Sequence, residues 1–395
     1  MPTWIIEPRD PLIARDGRPF GPTPGARARS LPFPFPSTTT GGLRTRAGLK
    51  DGVFDTGKVA EVKKIGVRGP LLVELDDAGE ITKDGWLAPA PADALLVNPD
   101  DRKTTLQRLL PAKWGDDALT DLPPDLLPVT PKTIVEGKPP KDVPRFWNWE
   151  TFAKWLLEPK DADGVAPASL GHSGPQIEQR MHVSILPDTQ TAVEGALFMT
   201  SGLEFTRTER KDRLKNATRL ALAVESEGAL PERAGVLSPL GGERRLVSWR
   251  SSNVSLPACP PEIRKQISEQ RACRVVLLTP ACFEAGYRPK WLLDENEDAK
   301  GVKPSLIAVA CDRPQVVSGW DFAANNGKGA PKPTRRLAPA GSVFFLKLDG
   351  SAEAIGKWVD ALWMQCISDE PQDRLDGFGL AVLGTWNGEP LEVEK

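Results

Sequence analysis

Trp4-Ile5-Ile6-Glu7-Pro8, Arg15-Asp16-Gly17-Arg18-Pro19-Phe20, Leu31-Pro32-Phe33-Pro34-Phe35-Pro36-Ser37-Thr38 and Gly41-Gly42-Leu43-Arg44-Thr45-Arg46 are the runs whose reading decides the fold. The first is a short apolar strand. The second is a turn carrying two arginines. In the third, alternating prolines fix φ and keep each preceding residue out of the α region. Ser37 or Thr38 then offers a side-chain acceptor to the free N–H groups of a helix expected over about 38–49. A strand and a helix are thus joined by a stiff, arginine-bearing loop. Residues 1–50 hold eight Arg or Lys against three acids, and seven of the eight are Arg. Planar guanidinium groups suit phosphate recognition and stacking, although such a run also serves as an ordinary solvated surface.

A chain of 395 residues is long enough for two domains, and its 40% hydrophobic content can fill two cores. The net charge of −2 excludes a diffusely basic binder, so any nucleic-acid contact must come from local patches. Five cysteines, Cys259, Cys273, Cys282, Cys311 and Cys366, show no C-x-x-C spacing. That argues against a disulfide framework or a zinc knuckle and for reduced thiols in a cytoplasmic protein. The start of the chain lacks the charged and apolar regions of a signal peptide. No apolar run approaches the roughly 18 residues of a membrane span, so no membrane partner is expected. Proline and glycine are abundant, which suggests long ordered loops.

Along the chain, residues 65–81 read as a hairpin turning at Asp76-Asp77-Ala78-Gly79, and Leu95-Leu96-Val97 as a strand. Residues 98–145 show little periodicity and read as an insertion or long loop. Trp149 to Leu157 has helical spacing and ends before Pro159. A second hairpin is expected near 182–206, then a basic run from Arg207 to Arg219, then a strand at 220–224. A second unit is expected from about 236, with a helix opening at Pro261. Its strands are expected at 274–278, 306–310, 316–321 and 342–348, with a helix over 352–367 and a last strand after Gly379. Each half can be written strand, helix, hairpin, helix, strand, the ferredoxin-like order. The expected class is α+β, with two ferredoxin-like (RRM-like) domains, 1–235 and 236–395. The first carries long insertions at about 98–165 and at the hairpin.

Catalytic material is sparse. Gly377-x-Gly379-x4-Gly384 follows a helix and opens a strand, the reverse of a dinucleotide fingerprint. Such a loop can still let an RNA backbone approach closely, or simply make a tight turn. Gly241-Gly242-Glu243 lacks the Lys-Ser/Thr of a phosphate loop. Of the two histidines, His172 and His182, the second stands near Arg180 and suits a general base, an RNA contact or a structural role. There is no paired-carboxylate, HD, G-x-S-x-G or H-E-x-x-H motif. Neither a metal nor a cofactor is expected.

Arg15-Asp16-Gly17-Arg18-Pro19-Phe20, followed by Pro34-Phe35-Pro36-Ser37-Thr38 and Gly42-Leu43-Arg44, resembles the N-terminus of the third subunits of CRISPR type III-B Cmr effector complexes. Arg180-Met181-His182-Val183, Thr191 to Phe198, Leu240-Gly241-Gly242-Glu243, Ser318-Gly319-Trp320-Asp321, Pro339 to Val343 and Gly377-Phe378-Gly379 continue the resemblance in family order. The departures lie mainly in the Pro/Trp-rich region 98–165.

The resemblance implies a RAMP-superfamily protein that holds the 5′ handle of the CRISPR RNA and cuts nothing itself. Implied partners are the large polymerase-like subunit, a backbone RAMP subunit and, indirectly, target RNA. The residues expected to meet RNA are Arg15, Arg18, Arg44, Arg46, Arg180, His182, Gly241, Gly242, Arg244, Arg245, Arg335, Arg336, Gly377 and Gly379. Two alternatives stand beside this. One is a metal-independent guide-RNA-processing endoribonuclease with His182 as base. The other is a scaffold whose arginines bind acidic protein surfaces.

Overall fold

A computed structural model describes residues 1–15, 27–28, 30–100, 103–115, 118–208, 217–228, 237–295, 301–321, 324–325 and 329–392. The elements that position the site are β1 (Thr3–Pro8), α1 (Pro36–Ala47), β2 (Val67–Leu75), β3 (Ile81–Pro89), α2 (Trp149–Leu157), β4 (Gln176–Ile185), β5 (Ala192–Glu204), β6 (Thr218–Ser226), β7 (Leu246–Ser252), α3 (Pro261–Gln270), β8 (Ala272–Leu277), β9 (Val302–Ala310), β10 (Val343–Gly350), α4 (Ala352–Leu362), α5 (Pro371–Leu375) and β11 (Leu380–Thr385). Helix accounts for 19% and strand for 42%, so the mixed class holds with strand in excess.

Two antiparallel sheets form the frame. In the first, β7-β1-β6-β2-β3 are neighbours, extended beyond β3 by Phe146–Asn148 and Gly171–His172. In the second the order is β9-β10-β8-β11. The first sheet is buried on both faces, and β1 shows why its apolar run is continuous. Ile5 joins the core shared with the second sheet, whereas Trp4 and Ile6 point to the opposite core with Leu43 of α1 and Trp249 of β7. The shared core is rich in tryptophan. Trp147 and Trp155 meet edge to face at 5.7 Å, and Trp358 and Trp386 are almost fully enclosed.

The departures from the sequence reading have local causes. Helix α1 begins at Pro36, with Phe35 at the cap position and no side-chain cap. Ser37 and Thr38 therefore lie inside the first turn. Proline tolerates the first helical position because its missing N–H would have no partner there. Most of the described part of 98–145 lacks regular structure, as expected of an insertion, but Lys103–Lys113 within it is an eleven-residue strand. Part of this insertion covers the edge of the second sheet, where Leu127 N–H donates to Ile307 O at 2.8 Å. Covering an edge strand in this way removes a site for stray pairing.

The expected start of a second unit at 236 meets a similar obstacle. Leu237–Pro239 pairs with β7, and β7 pairs with β1 from Thr3 to Pro8, so both strands belong to the first sheet. The second sheet is entered only through α3. Between β8 and β9 the described residues hold no α-helix, and α3 precedes β8 instead of following it. The run 207–219 and the loop 325–336 fall partly outside the described residues.

All five cysteines are free. Burial pushes the Cys366 thiol up to about 12 and raises that of Cys273 as well. Native protein at neutral pH is therefore expected to leave both unmodified by iodoacetamide, while urea-unfolded protein reacts. Mass spectrometry showing alkylation of either in the native state would contradict this burial.

Candidate nucleic-acid interface

Hairpin β4–β5 alternates its side chains. Glu178, Arg180 and His182 share one face with Thr200 and Phe198 of the facing strand, because Arg180 pairs with Thr200 and His182 with Phe198. His182 stacks on Phe198 with ring centroids 5.2 Å apart and planes at 16°. Its Nε2 lies 2.9 Å from Thr200 Oγ1. Arg180 is exposed, and its Nε donates to Glu178 Oε1 at 2.6 Å. That hydrogen bond, then the charge of Glu178, raises the arginine's pKa, with Asp10 and Glu204 adding to it.

The turn before β7 is brought against this face. Gly241 has φ +71°, and a Cβ there would lie 2.5 Å from Ile13 O. Gly242 N–H donates to the same carbonyl at 2.6 Å. The two glycines thus seat the turn on the chain leaving β1, and this packing is what they do in the fold. Glu243 follows at φ 56°, and its Oε1 accepts from Arg15 Nη2 at 2.7 Å. Its other oxygen, Oε2, accepts from Arg245 Nη2 at 3.1 Å. Arg244 is exposed. Arg180, Thr200 and Arg245 line a shallow cleft with Pro11, Ile13, Glu178 and Gly202. Arg15, Arg180, His182, Gly241, Gly242 and Arg245 therefore come from three separate segments to one surface, and Arg244 lies in the same turn as the two glycines.

The other expected contacts lie elsewhere, and several are spent inside the protein. Arg44 pairs with Asp376 and donates to Ile65 O and Leu375 O, with its side chain only 11% exposed. Arg46 is buried over the Trp249 ring at 5.5 Å, and burial lowers its pKa. Neither has a face open to a phosphate, so both are corrected to structural roles. Arg335 donates to both oxygens of Asp373 at 2.8 and 2.7 Å, while Arg336 is exposed beside it. Arg18 lies outside the described residues.

Gly377 and Gly379 are buried. A Cβ on Gly377 would lie 2.6 Å from Gly69 O, and one on Gly379 would lie 2.8 Å from Ser368 N. The glycine loop thus packs against β2 and the Ser368 backbone, which corrects the expectation that a backbone of RNA passes there.

Sequence reasoning missed Glu178 and Glu243, the acids that hold the cleft arginines. The left-handed backbone of Glu243 has no local sequence signature. Among the described residues no group of three or more His, Cys, Asp or Glu is placed to hold a metal ion. No helix among them is long and apolar enough to cross a membrane.

A family model described as CRISPR-associated protein (Cas_Cmr3) matches residues 4–386. Among solved structures, a chain of the type III-B Cmr-β complex bound to cognate target RNA and AMPPnP is 14% identical, with 87% of this chain and 86% of that one covered and a TM-score of 0.45. A chain of the same complex bound to cognate target RNA is 15% identical, with the same coverage and a TM-score of 0.46. None of the curated proteins matches. With nearly the whole chain spanned by one family model, and with the motifs in family order, the chain belongs to the Cas_Cmr3 family of CRISPR-associated proteins, the third subunits of type III-B.

Proposed function

We propose that this chain is a non-catalytic, cytoplasmic subunit that holds the 5′ handle of the CRISPR RNA and docks it against the large polymerase-like subunit. A backbone RAMP subunit lies on its other side, and target RNA is met only indirectly. The observation that carries this reading is the convergence of Arg15, Arg180 and Arg245 beside the stacked His182–Phe198 pair. Single-stranded RNA is held by guanidinium contacts to phosphates and by bases laid on aromatic faces. The repeated strand order supports two ferredoxin-like units. β7-β1-β6-β2 and β11-β8-β10-β9 both place the fourth strand beside the first, and the third between first and second. In this reading the first unit runs through β7, with 76–217 inserted between its second and third strands. Each unit keeps one helix at the expected place, α1 after the first strand and α4 after the third.

The test is the triple variant Arg15→Ala/Arg180→Ala/Arg245→Ala. Arg15 and Arg180 are exposed, Arg245 is half-buried, and none of the three belongs to either apolar core, so the fold is expected to survive. Guide RNA should no longer co-purify, and affinity for single-stranded RNA should fall by roughly a hundredfold, with a shallower salt dependence. Undiminished co-purification of guide RNA from the native cells would overturn the assignment.

A further inference from the structure

Glu243 holds a position that its own backbone disfavours. Its φ of 56° and the φ of 52° at Arg244 put two successive non-glycine residues in the left-handed region. Side chains with a Cβ enter that region at a cost, and such strain persists where the surroundings enforce it. Here the turn is enforced by Gly242 N–H on Ile13 O at 2.6 Å and by Leu240 N–H on Arg245 O at 2.8 Å. The result is a carboxylate that gives one oxygen to each of two arginines, at 2.7 Å to Arg15 and 3.1 Å to Arg245. The three side chains are 35%, 36% and 19% exposed for Arg15, Glu243 and Arg245, so the bridge is open to solvent and exchangeable. Two non-bridging oxygens of a phosphodiester would satisfy the same pair of guanidinium groups in the same way.

We infer that the Glu243 carboxylate occupies a phosphodiester seat between Arg15 and Arg245, and that RNA binding exchanges it for a backbone phosphate. This rests on the RNA-binding reading above and names a device within it. Until RNA arrives, the bridge keeps two cations oriented and neutralised. It also sets a threshold, because an anion must outcompete an acid already in place. Nonspecific polyanions that contact only this point gain little, while a strand that also engages Arg180 and the His182–Phe198 face gains enough to displace the acid.

The experiment uses the full-length chain and a short fluorescein-labelled single-stranded RNA carrying the repeat-derived leader. Anisotropy is read across a salt series. Glu243→Gln removes the charge. Glu243→Asn also removes it and suits a left-handed backbone. Glu353→Gln, an exposed acid on α4, controls for net charge alone. Both Glu243 variants are expected to bind about fivefold more tightly than wild type and to show a steeper salt dependence, the size expected from loss of a solvent-exposed competing pair. The gain should vanish in Arg15→Ala/Glu243→Gln. If wild type binds and both Glu243 variants bind no more tightly than Glu353→Gln, the inference fails and the RNA-binding reading stands. Absence of binding by folded wild type and all variants would overturn the RNA-binding reading and, with it, this one. Thermal unfolding of each variant establishes that the compared proteins are folded.

Discussion

Asp93→Ala is expected to lower the unfolding free energy by about 3–5 kcal/mol, the cost of stranding a buried charge. Arg274 lies in β8 with its side chain fully enclosed, and Asp93 is enclosed with it. The guanidinium pairs with Asp93 and donates to Thr385 O at 2.9 Å, Trp155 O at 2.7 Å and Leu156 O at 3.1 Å. Trp155 Nε1 donates to the other Asp93 oxygen at 2.9 Å. Four parts of the chain meet at this point: the loop after β3 at Asp93, the end of α2, β8 and β11. The carbonyls at the end of α2 are free of helical partners and accept the cation instead. Without Asp93 the arginine keeps three carbonyls and loses its countercharge, and an indole N–H loses its acceptor. Urea denaturation should show the loss as a lower midpoint. A loss under about 1 kcal/mol would mean that solvent reaches the pair. The double variant Asp93→Leu/Arg274→Met should recover much of the deficit, because a buried ion pair is replaced by apolar packing more cheaply than it is broken.

Gly377→Ala should cost about 3 kcal/mol, combining left-handed strain with overpacking. Its φ is +91°, and the added methyl would meet Gly69 O at 2.6 Å, Val67 O at 3.2 Å and Pro36 Cβ at 3.4 Å. Two of those atoms are backbone of β2 and the third opens α1, so none can swing aside. Gly41→Ala is the matched control. It sits on the exposed side of α1 with nothing within 4 Å of the added atom. There alanine should be neutral or stabilise by up to about 1 kcal/mol through helix propensity. Thermal unfolding of the free protein separates the cases. If Gly377→Ala unfolds like wild type yet loses RNA, then the loop serves RNA and not packing.

Much of the local architecture was legible. The hairpins at 65–81 and near 182–206, α2, α4 and the last strand follow from apolar spacing and turn residues within a few positions of each other. The site was legible only in part, because residue type states a charge but not its partner. Arg44 finds Asp376 332 positions away, and Arg15 finds Glu243 at 228. Arg274 sits in an ordinary apolar strand, and nothing near it announces that Asp93, 181 positions earlier, would neutralise it.

By itself the sequence determined most strands, helices and turns outside the 98–165 insertion, since periodicity and backbone preference act over short range, and the order of its motifs determined the family. Only the tertiary structure decided which arginines face solvent and which are consumed as internal counterions. That division depends on desolvation and on acids delivered from distant strands, and both exist only once the two sheets have closed on each other.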